Sequence, residues 1–309
     1  MCRTIRLSIG LLLALVIGIG CRDANSTPAS PPVESALAPP PTVTVAPSLP
    51  ELPEPIGADS LLLIFVAPRV EAMEVQPLID SLTDKANMPI EIRLSARYAE
   101  AYEALCNGTA ALATLDAFGY LAASEAGCGE TLYQLEKDGE RAAQTQLVAE
   151  ANRIFSITNF YNRTFCRVGP PSAAGWIVPA MALRAAGIDP FADLKGVVEA
   201  GDDRAVLEMI LARQCDAGAT ALGAEAALED PAAIDVIEVL PPVPYDVLVV
   251  STRLENGARA ALEDFLRLNR DQVAAVHGAG ALRDPDDELF NPLRLLAEAA
   301  GVDIRALTD

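Results

Sequence analysis

The chain has 309 residues, half of them hydrophobic and 21% charged, with 43 acidic against 23 basic side chains and a formal net charge of −20. Such a composition is globular, long enough for two domains, and excludes a disordered or coiled-coil chain. So acidic a chain without a basic stripe argues against nucleic-acid contacts, and a single histidine, His277, excludes multi-histidine metal sites and leaves any Ser-His-Asp or Cys-His chemistry to one residue.

Arg3 and Arg6 precede an apolar run, Leu7 to Gly20, which is too short for a comfortable membrane span and fits a signal-peptide core. Residues 1–20 are therefore expected to be a signal peptide. The run ends in Gly18-Ile19-Gly20-Cys21, which is similar to a bacterial lipobox, although Gly18 stands where that motif carries a leucine. The resemblance implies that Cys21 is the lipidated first residue of the mature chain; ordinary signal-peptidase cleavage is the alternative. Residues 21–57 hold ten of the 23 prolines and are expected to form a solvated linker, partly polyproline II, reaching roughly 35 Å as a coil. An acidic body is repelled by anionic lipid, so the lipid anchor alone is expected to hold the protein to the cell membrane, on its extracytoplasmic side.

The body opens with LLLIFVAP from Leu61, a continuous apolar run of the kind found in buried parallel strands. Pro77 suits the first turn of a helix reaching Lys85. IEIRL (90–94) alternates as a strand, and Ser95 is placed to cap a helix carrying Tyr98, Ala101, Tyr102 and Leu105 at helical spacing, which Gly108 ends. AALATL (110–115) reads as a buried strand and AFGYLAASEA (117–126) as a short helix. The alternation predicts an α/β sheet.

A second series follows. TFCRV (164–168) is a strand, and Ser172 is the N-cap of a helix over 173–187. Residues 203–212 read as a helix, 216–220 as a strand and turn, and IDVIEVL (234–240) and DVLVVS (246–251) as strands. The last is expected to return the chain to the first unit, with helices over 258–268 and 291–300 closing the body. The expected division is one lobe of residues 58–150 plus 250–309 and a second lobe of residues 151–249.

Four cysteines lie in the body, an even count that reads as two disulfides in an exported chain. Three pairings are possible. Cys106–Cys128 with Cys166–Cys215 keeps each bridge inside one α/β unit; buried free thiols are the alternative. No CxxC spacing occurs, so neither zinc nor thioredoxin-like chemistry is supported, and no metal or cofactor is expected.

Tyr98-Ala-Glu-Ala-Tyr-Glu-Ala-Leu-Cys-Asn-Gly108, followed by Ala113-Thr-Leu-Asp-Ala-Phe-Gly-Tyr120-Leu-Ala, resembles the first lobe of the phosphate, phosphite and phosphonate substrate-binding proteins of ABC transporters. FCRVGPPSAAGWIVPAMALRAAGIDP (165–190), CDAGAT (215–220) and PVPYDVLVV (242–250) resemble further stretches of that family, in order. The resemblance implies a two-lobed type II periplasmic-binding fold with a ligand in the cleft between lobes. It also implies a monomer that delivers a small molecule to ABC permease subunits and is not an enzyme. A ligand-sensing or partner-binding lipoprotein of the same fold is the alternative.

The resemblance implies ligand contacts at Tyr98, Asp116, Tyr120, Ser172, Gly175, Asp203 and Asp246. Helix N-termini seat anions, and the family uses a Ser-Thr-Ser-Gly turn for this; here Ser172-Ala-Ala-Gly175 keeps one hydroxyl and lacks two. Asp203 stands where the family has a histidine and Asp116 where it has a glycine, while Asp246 matches an acid that can meet a ligand amine. These changes point away from a simple anion and toward a ligand with a cationic or hydroxyl-rich end, with Tyr98, Tyr120 or Trp176 as an aromatic wall. For each residue a plainer role is open: core tyrosines at 98 and 120, a helix cap at Ser172, and a capping pair at Asp202 and Asp203.

Overall fold

The computed structural model describes residues 56–57, 60–66, 72–169 and 172–307. The expected signal peptide, Cys21 and the linker as far as residue 55 lie outside the described residues. Among the described residues, no helix is long and apolar enough to cross a membrane.

Strand β1 (Leu61–Val66) is buried on both faces: Leu61, Leu63 and Phe65 join one core, Ile64 and Val66 another. Helix α1 (Ala72–Lys85) begins well before Pro77, so the proline lies inside the helix and not in its first turn. The buried series Val75, Ile79 and Leu82 sets the helix length here, and packing of that face outweighs the proline. After β2 (Ile90–Ser95) comes α2 (Tyr98–Cys106), whose N-cap is Arg97 and not Ser95. Ser95 still ends the strand, and its hydroxyl accepts from Arg97 N at 3.0 Å and donates to Glu100 Oε2 at 2.7 Å, so it shapes the turn one step upstream.

Then follow β3 (Leu112–Leu115), α3 (Ala117–Glu125), β4 (Gly129–Glu136), β5 (Ala142–Ala143), β6 (Thr145–Glu150) and β7 (Thr164–Arg167). Ser172 caps a π-helical turn, Ala173–Ile177, that runs into α4 (Val178–Ala185). The rest is β8 (Gly196–Glu199), α5 (Asp203–Leu211), β9 (Ala217–Ala221), β10 (Ile234–Val239), β11 (Val243–Pro244), β12 (Val247–Ser251), α6 (Asn256–Leu268), α7 (Arg270–Val276), β13 (Ala281–Arg283) and α8 (Asn291–Ala300).

Two mixed sheets result. The first has the order β13-β4-β12-β3-β1-β2, with β2, β1 and β3 parallel and β12 antiparallel to both β3 and β4. The second has the order β10-β6-β9-β7-β8, with β8, β7 and β9 parallel. β12 thus returns to the first sheet, as its sequence predicts. The two crossings between sheets pair with each other through β5 and β11. Arg141 anchors the first crossing: its guanidinium donates to Gln134 Oε1 at 2.6 Å and to the Asp284 carbonyl at 2.7 Å.

Both expected disulfides are present, Cys106–Cys128 and Cys166–Cys215, with Cα separations of 5.0 and 5.8 Å. His277 is buried at the end of α7. Its Nδ1 donates to the Val273 carbonyl at 2.8 Å, which leaves Nε2 to accept from the Thr114 hydroxyl at 2.7 Å. Burial pushes its pKa down to about 4, so the ring is a neutral tie between α7 and β3.

Candidate functional site at the strand ends

In open α/β sheets, ligands sit beyond the carboxyl ends of parallel strands, where helix N-termini present unpaired amides. Three such termini carry residues expected at the site: α3 after β3, the Ser172 turn after β7, and α5 after β8. Each is capped differently.

Asp116 caps α3, accepting from Gly119 N at 2.7 Å. The β3–β12 ladder ends with the pair Leu115–Val247, so the next residues on the two strands, Asp116 and Asp246, face each other. Tyr98, at the start of α2, donates its hydroxyl to Asp246 Oδ2 at 2.8 Å. Tyr98, Asp116 and Asp246 therefore form one group. Burial, with the Asp246 charge adding to it, raises the Asp116 pKa to about 6 against the pull of its amide donors. A carboxyl whose pKa a second carboxylate raises favours a shared cation or proton.

Ser172 and Gly175 form a second group. The serine hydroxyl oxygen accepts from Gly175 N at 3.1 Å. A Cβ at position 175 would lie 2.8 Å from that hydroxyl, so only glycine fits the turn as built. Arg167, at the end of β7, braces the backbone at Gly169. It donates to the Gly169 carbonyl at 2.8 Å, pairs with Glu199 at 2.9 Å, and lies over the Trp176 ring at 5.6 Å.

At α5, Asp202 is the cap, accepting from Ala205 N, and Asp203 accepts from Ala221 N at the end of β9, both at 2.8 Å. The capping role holds for Asp202, while Asp203 ties the helix to the sheet. Two carboxylates already occupy the positive end of this helix.

Tyr120 is placed elsewhere. It is buried against Phe290, with ring centroids 4.7 Å apart, and its hydroxyl donates to Asp287 Oδ1 at 2.7 Å. Sequence reasoning missed Arg167 and the buried Gln146, which donates to Thr220 Oγ1 at 3.3 Å and also to Glu225. A glutamine inside the apolar strand TQLVAE was the available signal. Among the described residues, no group of three or more His, Cys, Asp or Glu side chains could hold a metal ion.

The fold has clear relatives among solved structures. A Xanthomonas citri protein solved bound to ATP superposes with a TM-score of 0.57 at 16% identity, over 79% of this chain and 97% of that one. A binding-protein component of a phosphonate ABC transporter from Pseudomonas aeruginosa gives 0.52 at 16% identity, over 82% and 89%. PhnD1 from Prochlorococcus marinus, in complex with methylphosphonate, gives 0.50 at 14% identity, over 79% and 99%. These likenesses show the two-lobed type II periplasmic-binding fold. No curated protein matches the chain. The family described as "ABC transporter, phosphonate, periplasmic substrate-binding protein" matches residues 64–288. The chain belongs to the family of periplasmic substrate-binding proteins of phosphonate ABC transporters.

Proposed function

We propose that this protein is an extracytoplasmic solute-binding lipoprotein, held to the membrane through Cys21, that delivers a small ligand to ABC permease subunits. The first lobe is built on the first sheet and the second lobe on the second, close to the division 58–150 plus 250–309 and 151–249. The membership of β6 in the second sheet favours a crossing just before Thr145.

The ligand specificity is altered within the family. The observation that carries this reading is the facing pair Asp116 and Asp246, with Asp116 partly buried and its pKa raised. Two like charges at about 4 Å repel by roughly 4 kcal/mol at an effective dielectric near 20, more than the ~0.3–2 kcal/mol a helix terminus offers an anion. Asp116 and the Asp202–Asp203 pair fill two of the three helix termini with the chain's own carboxylates. The Ser172 turn keeps a neutral cap. A ligand with an anionic end for that turn and a cationic or hydroxyl-rich end for Asp116 and Asp246 matches the arrangement.

Calorimetry on refolded, ligand-free protein tests the reading. Aminomethylphosphonate is expected to bind more tightly than methylphosphonate or phosphate at neutral pH, and Asp116→Asn is expected to remove the preference. Equal or tighter binding of phosphate or methylphosphonate, insensitive to Asp116→Asn and Asp203→Asn, would overturn it.

A further inference from the structure

Helix α8 touches both halves of the molecule. At its start it is fixed to α3: Asp287, in the turn that leads into α8, accepts from the Tyr120 hydroxyl at 2.7 Å. The same carboxylate is clamped by Arg294 of α8, with contacts at 2.7 and 3.1 Å. Phe290 packs edge-on against the Tyr120 ring. Past its end, the turn Ile304–Leu307 packs on α3 again. Between these two attachments α8 lies against α4, and Leu293 and Ala297 share one core with Val178, Met181 and Ala182 of α4.

The two partners of α8 are the helices that carry the candidate half-sites. α3 begins at the Asp116 cap, one turn before Tyr120. α4 continues directly from the turn capped by Ser172. A rigid helix tied to one and packed on the other constrains the distance between them.

We infer that α8 is a strap that sets the spacing of the two half-sites, and that Tyr120 is the positioning residue that fixes it to α3. The inference rests on the proposed function only in treating these helix termini as ligand seats; the mechanical link stands without it. Tyr120 then shapes ligand affinity through Asp287 and α8.

Trp176, the chain's single tryptophan, lies in the turn capped by Ser172 and reports on that turn directly. Tyr120→Phe keeps the ring on Phe290 and removes only the hydroxyl. In ligand-free protein, well below the melting temperature, it is expected to raise acrylamide quenching of Trp176 about twofold. It is also expected to weaken aminomethylphosphonate binding by about 2- to 30-fold, the range seen for residues that couple sites without touching ligand. Asp287→Ala, which removes the acceptor itself, is expected to do the same, which guards against an idiosyncratic effect of one variant. A lowered melting temperature with Trp176 emission and quenching unchanged in both variants would show a merely structural contact and overturn the proposal. If the wild type binds no aminomethylphosphonate, the ligand reading fails, while the quenching result still decides the strap.

Discussion

The Tyr98 hydroxyl lies 2.8 Å from Asp246 Oδ2, joining residues 148 positions apart in sequence. The bond orients a carboxylate that faces Asp116 across the end of β12, and a hydrogen bond to a charged group contributes about 1.5–3 kcal/mol. Tyr98→Phe is therefore expected to weaken aminomethylphosphonate binding about tenfold or more, read by calorimetry. An unchanged dissociation constant would place Asp246 outside the ligand site.

The partly buried Asp116 and the buried His277 oppose each other in their response to pH. Burial raises Asp116 to about 6, so between about 3.8 and 6 the folded state binds the proton more tightly than the unfolded chain, and stability falls as pH rises. Burial lowers His277 to about 4, so between about 4 and 6.5 the unfolded chain takes the proton first, and stability falls as pH falls. Each effect is on the order of 3 kcal/mol. In the wild type the contributions of these two groups are expected to nearly cancel between about pH 4 and 6. Asp116→Asn should expose a stability that rises with pH, and His277→Gln one that declines with pH. Urea midpoints measured across this window check the signs; parallel profiles for the two variants would contradict them.

Gly175 and Ser172 provide a third test. Gly175→Ala places a methyl group 2.8 Å from the serine hydroxyl and must displace it. The expected stability loss is about 1 kcal/mol, that of a lost N-cap, with a matching loss in Ser172→Ala and no further loss in the double variant. Thermal unfolding of the three variants reads this. Additive losses would show that the two residues act separately.

The anchor has its own check. The wild type is expected to partition into detergent with the membrane fraction, and Cys21→Ser to be released or left unprocessed. Mass spectrometry of the mature N-terminus distinguishes a diacylated cysteine from a free one. An unmodified terminus would leave the linker without an anchor.

Much of this architecture was legible from local pattern. The run at Leu61–Val66 is apolar throughout because both faces are covered, and Ser172 announces a cap because serine satisfies an amide no helix can. The cysteine pairs follow from compartment and proximity in sequence. Residues 129–150 were less readable: β4 mixes Tyr133 and buried Gln134 with exposed Glu130, so it shows neither a clean alternation nor an apolar run. The surroundings of Tyr120 were hidden for a different reason. Its helix position fits a family contact, but its partner Asp287 lies 167 residues away, and no local pattern encodes such a meeting. The capping of α5 by Asp202 could be read from the chain; the reach of Asp203 to Ala221 required the sheet.

The order of the four body cysteines carries one further consequence. They occur as 106, 128, 166 and 215, and the native bridges join the first to the second and the third to the fourth. In a chain exported N-terminus first, with Cys21 taken up by the proposed lipid, each newly arrived thiol that completes a pair finds one earlier body thiol still unpaired, and it is the native partner. Oxidation in order of arrival therefore yields the finished pattern without reshuffling. Both links can close before β12 has emerged to complete the first sheet, so the covalent framework can be laid down by the direction of travel and need not wait for the folded body.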